Sequence, residues 1–169
     1  MTIINGTTGA DVLNDLLIRL GVSVDPGTND IINGLSGNDD ITVYNGDDTV
    51  FGGSGIDIIA DFGTGNDTFY GGADNDHIYL GLGNDIADGG EGIDRVSYSF
   101  SDRGVIADLQ AGFALAEGLD TLISIENLSG SGWSDTLKGS EVANNINGSS
   151  GDDYIEGRGG DDFVYGDSF

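Results

Sequence analysis

The apolar residues of this chain recur with a period of nine, which is the period of neither a helix nor a single long strand. Ile41, Val50 and Ile59 stand nine residues apart, and each follows an aspartate by two positions. One fixed apolar position in nine cannot form the apolar stripe of a helix. The same position can lie in a short strand of about 10 Å, with its side chain facing inward and its neighbours facing outward.

Glycine and aspartate keep the same period. Most units read G-x-x-G-x-D-x-U-x, where U is apolar, and Thr28 and Asp74 replace the second glycine in two of them. The interval is ten from Asp57 to Asp67, where Asp61 or a neighbour is the insertion, and a degraded unit is expected between Asp11 and Asp30. The residues at the aspartate position are Asp11, Asp30, Asp39, Asp48, Asp57, Asp67, Asp76, Asp85, Asp94, Asp135, Asn144, Asp153 and Asp162.

This repeat predicts an all-β solenoid. Each D-x-U-x segment forms a strand and each G-x-x-G-x-D segment forms a turn, so two units complete one coil of about eighteen residues. Glycine supplies positive φ and close backbone approach, and asparagine before the aspartate, as at Asn38 and Asn75, also tolerates a left-handed conformation. A single coil buries too little apolar surface to be stable, so the coils must stack with their strands parallel.

Stacking brings aspartates eighteen or nineteen residues apart into columns. One predicted column contains Asp11, Asp30, Asp48, Asp67 and Asp85, and the other contains Asp39, Asp57, Asp76 and Asp94. Carboxylates one strand spacing apart, about 4.8 Å, repel each other in a partly dry turn. A hard cation between them reverses this, and Ca²⁺ fits best because it accepts six to eight oxygen ligands in flexible geometry.

Composition supports a cation as the partner. The chain has 30 Asp and Glu against 5 Lys and Arg, a formal net charge of -25, which makes nucleic acid and anionic membranes poor partners. One His and no Cys argue against zinc. With the C-terminal pairs Asp135–Asp153 and Asn144–Asp162, the columns offer up to about nine gaps for calcium ions. No stretch approaches the roughly 18 apolar residues of a membrane span.

The units "GGSGIDIIA" (52–60) and "GGEGIDRVS" (89–97) resemble the glycine-rich nonapeptide of the RTX (repeats-in-toxin) proteins. The resemblance covers roughly residues 6–97 and 130–165. It implies a right-handed parallel β-roll, calcium-driven folding, and export by type I secretion machinery to the outside of the cell. It also implies that carboxylates from two stacked turns and loop carbonyls bind each calcium. The resemblance therefore implies that the residues at the aspartate position bind calcium. It implies the same for the loop backbone around Gly34, Gly37, Gly46, Gly52, Gly53, Gly55, Gly65, Gly83, Gly90, Gly92, Gly151 and Gly160.

We expect one continuous elongated domain with repeat blocks at 1–97 and 130–169. The segment 98–129 between them predicts alternating strands around Gly112 and Gly118, arranged as a short antiparallel hairpin laid along the roll. Its apolar residues Val105, Ala107 and Leu109 share one face, with Leu122 and Leu128 packing beside them. Asp120 and Glu126 could bind a further calcium or serve only in turns.

The function predicted is that of a calcium-binding structural and secretion-folding module, and not an enzyme. The chain lacks an H-E-x-x-H zinc-protease motif and a G-x-S-x-G nucleophile elbow, and the repeat explains its acidic pairs. The alternative is a recognition module for adhesion, glycans or ice. Trp133 could stack on a sugar or pack against residues 98–129, and residues 62–74 contain one threonine- and asparagine-rich unit. The sequence specifies no protein or glycan partner.

Overall fold

The chain forms a parallel β-solenoid of about eight turns that contains one antiparallel segment. The computed structural model describes residues 1, 3–7, 9, 11–14 and 27–167, and within them every regular element is a β-strand. The degraded repeat unit expected between Asp11 and Asp30 lies mainly in residues outside this part. No helix of the described chain has the length and apolar character needed to cross a membrane.

Each regular coil contributes one strand to each of two sheets. Sheet A contains, in spatial order, β1 (Ile3–Asn5), β3 (Ile31–Ser36), β5 (Thr49–Ser54), β7 (Thr68–Ala73), β9 (Ile86–Glu91), β13 (Leu119–Ile123), β12 (Phe113–Leu115), β11 (Ile106–Asp108), β15 (Thr136–Lys138) and β17 (Tyr154–Glu156). Sheet B contains β18 (Phe163–Asp167), β16 (Asn145–Ser149), β14 (Asn127–Ser129), β10 (Arg95–Ser97), β8 (His77–Tyr79), β6 (Ile58–Asp61), β4 (Asp40–Val43) and β2 (Val12–Asn14).

The core is a thin stack of the apolar repeat positions. Parallel register places each of these residues beside its counterpart in the next coil, for example Val50 beside Phe69 in sheet A and Ile59 beside Ile78 in sheet B. In the inner coils all are fully buried, which confirms that the apolar position of the repeat faces inward, whereas Val164 in the outermost strand β18 is 47% exposed. The stacked residues are Ile32, Val50, Phe69 and Ala87 in sheet A, and Ile41, Ile59, Ile78, Val96, Leu128 and Ile146 in sheet B.

The antiparallel segment is part of sheet A. Strands β11, β12 and β13 form an antiparallel meander, and its outer strands β13 and β11 pair in parallel with β9 and β15 of the roll. The predicted antiparallel segment is therefore confirmed, but it lies within sheet A and not along the roll. Both outer strands find partners, so the hydrogen bonding of the sheet continues through the segment. Ala107 and Leu122 are buried, as the sequence predicts.

The two sets of turns define two edges of the roll. Turns that lead from sheet A to sheet B, here called the A-to-B edge, carry Asp39, Asp57, Asp76 and Asp94, whereas turns of the B-to-A edge carry Asp30, Asp48, Asp67 and Asp85. Asp11 was expected in the column of Asp30, but Val12 pairs with Asp40, so Asp11 stacks beside Asp39. The coil between these two aspartates is longer than the others, so they are 28 residues apart and not eighteen.

Asparagines before the aspartates connect the coils and do not use the left-handed conformation that asparagine tolerates. The non-glycine residues with positive φ in the described chain are Leu35, Asp74, Ser124, Ser149 and Arg158. Asn38 Oδ1 instead accepts a hydrogen bond from the Ile56 amide at 3.0 Å, and Asn75 Oδ1 accepts one from the Ile93 amide at 2.9 Å. These side chains satisfy turn amides of the adjacent coil.

Candidate calcium sites

The repeat aspartates form a ladder of hydrogen bonds along each edge. Asp57 Oδ1 accepts the backbone N–H of Asp39 at 2.8 Å, and Asp76 Oδ1 accepts that of Asp57 at 2.8 Å. On the B-to-A edge, Asp67 Oδ1 accepts the N–H of Asp48 at 2.6 Å. One oxygen of each carboxylate therefore connects two coils and fixes the orientation of the side chain.

The second carboxylate oxygen is buried without a partner. Removing such an oxygen from water is costly unless a donor or cation compensates it, so this set needs an explanation. Within the described chain, the aspartates whose Oδ2 has no hydrogen-bond partner are Asp39, Asp48, Asp57, Asp61, Asp67, Asp76, Asp85, Asp94 and Asp153.

The first glycine of a unit leaves room beside this free oxygen. A Cβ added to Gly52 would lie 2.5 Å from Asp57 Oδ2 and 2.6 Å from the carbonyl oxygen of Gly71 in the next coil. Only glycine keeps this space open, and both groups that face it are oxygens. A Cβ would also approach a side-chain oxygen of the residue five positions later at Gly6, Gly34, Gly71, Gly89, Gly130, Gly139, Gly148 and Gly157.

The second glycine shapes the turn. Gly55 has a φ of 117°, which side-chain-bearing residues rarely adopt. The left-handed region is also occupied by other predicted turn glycines, namely Gly37, Gly46, Gly53, Gly83, Gly90, Gly92, Gly151 and Gly160. Gly65 must be glycine for another reason: the Gly46 carbonyl of the preceding coil lies too close to leave room for a side chain.

The B-to-A edge differs in the first repeat block. Val43 and Leu80 stand five positions before Asp48 and Asp85, where the other edge has its first glycine, and both side chains are buried. Asp61 occupies this place in the coil between them, in register with Val43. Calcium binding at Asp48 and Asp85 stays a prediction, in turns that lack the glycine-lined space.

Asp61 brings a third carboxylate to two repeat aspartates. It is the last residue of β6, is 0% exposed, and its Oδ1 accepts the Gly63 amide at 2.7 Å. One carboxylate oxygen from each of Asp61, Asp67 and Asp85 lies within 4.8 Å of the other two. The nine-residue pattern indicated Asp61 only as an insertion, because a residue that occurs once has no period to reveal it.

Asp120 and Glu126 continue the two ladders into the antiparallel segment. Asp120 Oδ1 accepts the Asp85 amide at 3.1 Å, and Glu126 Oε2 accepts the Asp94 amide at 2.9 Å. Asp120 Oδ2 also accepts the buried Tyr98 hydroxyl at 2.9 Å. The sequence signal for both was an apolar residue two positions later, as in the repeat, but the meander removes the regular spacing.

The C-terminal pairs come together as predicted, although not every oxygen is free. Asp153 accepts the Asp135 amide and Asp162 accepts the Asn144 amide, each at 2.9 Å. Asp135 already accepts the Val105 amide through Oδ1 and the Ser131 amide through Oδ2. The Asn144 Nδ2 donates to the Glu126 carbonyl at 2.7 Å. These two side chains therefore have protein partners that Oδ2 of Asp57, Asp76 and Asp94 lacks.

Burial dominates the electrostatics of the ladders. It raises the pKa of Asp57 to about 6 and that of Asp76 to about 7, although a backbone N–H opposes each shift. Burial and the neighbouring charges of Asp61 and Asp85 raise the pKa of Asp67 to about 8. The ion pairs of the described residues involve Arg103, Lys138 and Arg158, and none of them reaches a repeat aspartate.

These donors fit calcium. The free groups are carboxylate oxygens beside backbone carbonyls in a space that glycine keeps open, which is the all-oxygen ligand set that Ca²⁺ takes. Zinc sites are usually built on Cys or His, and these turns carry neither. The carbonyl of Gly71 with Asp57 Oδ2 shows the arrangement that recurs along the A-to-B edge.

Comparison with known families agrees with this site chemistry. The family model of the RTX calcium-binding nonapeptide repeat (four copies) matches residues 27–59, 63–96 and 138–169, together more than half of the chain. A search of the curated proteins gave no match. The chain therefore belongs to the family of RTX calcium-binding nonapeptide repeat proteins.

Proposed function

We propose that this chain is a module that folds when it binds Ca²⁺ and has no catalytic role of its own. The observation that carries the proposal is the row of buried Oδ2 atoms without partners beside the first glycines. Asp39, Asp57, Asp76 and Asp94 hold calcium along the A-to-B edge through Oδ2, with loop carbonyls as further ligands. Bound calcium supplies the positive charge that stacked carboxylates need.

Folding and binding are coupled in this proposal. Without a cation, each coil buries further carboxylates against those of its neighbour, and the thin core offsets little of this cost. The sites do not exist in the unfolded chain, so the free energy of binding contributes to folding. Because stacked coils share their ligands, the response to calcium is cooperative. Extracellular calcium modules bind in the range of about 10⁻⁴ to 10⁻³ M.

We propose a secreted location on the same grounds. A net charge of -25 keeps the chain loose where calcium is scarce, as in cytosol, and the external medium supplies the ion that folds it. This suits export of an unfolded chain by type I secretion machinery, which the family resemblance implies.

A calcium titration followed by far-UV circular dichroism tests calcium-dependent folding. We expect the strand signal to appear cooperatively with Ca²⁺, to disappear on addition of chelator, and to respond weakly to the same concentration of Mg²⁺, which gives up its water ligands reluctantly. A strand signal that the chelator leaves unchanged would overturn the proposal.

Glycan recognition is the second candidate, favoured by exposed aromatic rings. Phe51 and Tyr70 stack on the outer face of sheet A with ring centroids 4.9 Å apart and planes 6° apart, and Trp133 is 56% exposed. Exposed aromatic faces suit stacking against sugar rings. Binding on a glycan array in calcium that Phe51→Ala abolishes would support it, and an array without signal would reject it. Ice binding lacks comparable support, because Thr49 and Thr68 are flanked in their row by Ile31 and Ile86.

A further inference from the structure

Asp61 interrupts an otherwise apolar column inside the roll. Its register partner in the preceding coil is Val43, and Leu80 takes the corresponding place in the next coil. All three side chains are buried, and both Asp61 and Val43 are 0% exposed. A carboxylate in such a column destabilises the fold unless something pairs with it, and the repeat itself does not require it.

The groups around Asp61 increase the negative charge. Asp67 and Asp85 each bring a carboxylate oxygen within 4.8 Å of one from Asp61. Oδ2 of all three is buried and has no hydrogen-bond partner. Their Oδ1 atoms accept backbone amides of Gly63, Asp48 and Asp67, respectively, and no described ion pair reaches them.

The backbone packs closely against the free oxygen of Asp61. A Cβ added to Gly81 would collide with Asp61 Oδ2, so glycine is required beside the free oxygen. A cavity of about 310 Å³ adjoins the site, lined by Asp61, Gly63, Gly81, Phe100 and Glu117 among others. Of the three carboxylates, that of Asp61 borders this cavity, and Glu117 adds a further acidic side chain to its wall.

We propose that Asp61, Asp67 and Asp85 bind one Ca²⁺ in a three-carboxylate site that the nonapeptide repeat does not provide. The proposal rests on calcium-dependent folding and extends it, because a third carboxylate makes this the tightest site and the first to fill. Calcium affinity rises with the number of ligand charges and with the rigidity of the site. Binding here stabilises the coils of β6, β7, β8 and β9 before the other sites fill.

Two substitutions of Asp61 test the site by calorimetric calcium titration of the full chain. Asp61→Val restores the side chain that Val43 has in the preceding coil, and Asp61→Asn keeps the shape while it removes the charge. Asp40→Asn, which removes an exposed carboxylate of β4, is the matched control. We expect both Asp61 variants to bind one ion fewer and to lose the tightest step, with at least a tenfold rise in the calcium concentration at which binding begins. The control keeps the wild-type titration.

The outcomes separate this site from the general proposal. Wild-type protein whose titration shows no calcium binding would overturn calcium-dependent folding itself. Calcium-dependent folding with the same number of ions and the same first step in both Asp61 variants would overturn only this site, and Asp61 would then be a buried neutral acid. Circular dichroism of Asp61→Val at saturating calcium is the folding control. A wild-type strand signal shows that the variant still folds and that the missing ion reflects the loss of the site.

Discussion

Individual aspartates divide their two oxygens between structure and binding. Oδ1 of Asp57 connects two coils through the Asp39 amide, while Oδ2 stays free beside Gly52. The repeat pattern was sufficient to predict which aspartates stack, but not that one oxygen is already used. It also placed Asp11 in the wrong column, since the period fails where a coil is longer.

Asp57→Asn separates the two roles of the carboxylate. The amide oxygen can still accept the Asp39 N–H, but the negative charge at Oδ2 is lost. We expect the calcium midpoint to rise about tenfold, equivalent to about 1.4 kcal/mol, with lower cooperativity. Circular dichroism during calcium titration measures both quantities. A midpoint and cooperativity like those of wild type would show that Asp57 is not a ligand.

Gly52→Ala tests the space beside the free oxygen. Its Cβ would lie 2.5 Å from Asp57 Oδ2, so the turn must shift, and we expect a loss of about 1–3 kcal/mol in the free energy of unfolding at saturating calcium. Gly132→Ala is the matched control, because a Cβ there has no heavy atom within 4 Å. Urea unfolding of both variants checks this. Equal stability of the two would mean that the space beside Asp57 is not needed.

Each strand contributes very little to the hydrophobic core. Each repeat strand in the inner coils fixes one fully buried apolar side chain, which stacks on its counterparts in the neighbouring coils. This level was well predicted, because a period of nine with one apolar position permits few other structures. The antiparallel strands of the meander were also predicted, but not their place in sheet A. Without a periodic signal in β11 and β12, only their pairing to β15 and to β13 shows that they continue this sheet.

Ile59→Ala measures the contribution of one core position. Ile59 is fully buried between Ile41 and Ile78, so we expect a loss of about 2–5 kcal/mol in urea unfolding at saturating calcium. Ile58→Ala is the control, because Ile58 is on the same strand but 45% exposed. Equal losses of unfolding free energy in the two variants would show that the inward-facing position contributes no more to stability than the outward-facing one.

The whole molecule combines a large negative charge with buried acids whose pKa values are raised. The folded pKa is about 6 for Asp57, 7 for Asp76 and 8 for Asp67, against an ordinary value of 3.8. The folded chain therefore binds more protons than the unfolded chain between about pH 4 and pH 8. Protons and calcium compete for these groups, so pH and calcium act on the same equilibrium.

Without calcium, stability falls as the pH rises. The contribution of these carboxylates is complete below about pH 4 and is lost as the pH passes through the folded pKa values of 6 to 8. In chelator, we expect the strand signal in circular dichroism to be greater at pH 5 than at pH 8. The affinity of the folded roll for calcium shifts oppositely and is greater at pH 8 than at pH 6, because calcium must displace protons from these carboxylates. A strand signal in chelator that increases with pH would contradict the role of the buried acids.

The hydrogen bonds of the aspartate ladders, from a backbone N–H to a repeat carboxylate, all point the same way along the molecule. In every rung the amide belongs to the lower-numbered coil and the carboxylate to the higher-numbered one, as from Asp39 to Asp57 and from Asp57 to Asp76. At the ladder positions, a cross-section of the roll therefore presents carboxylate oxygens on one side and backbone amides on the other. Two such surfaces complement each other only head to tail, so contacts between rolls built on this ladder would extend into a filament instead of closing as a symmetric dimer.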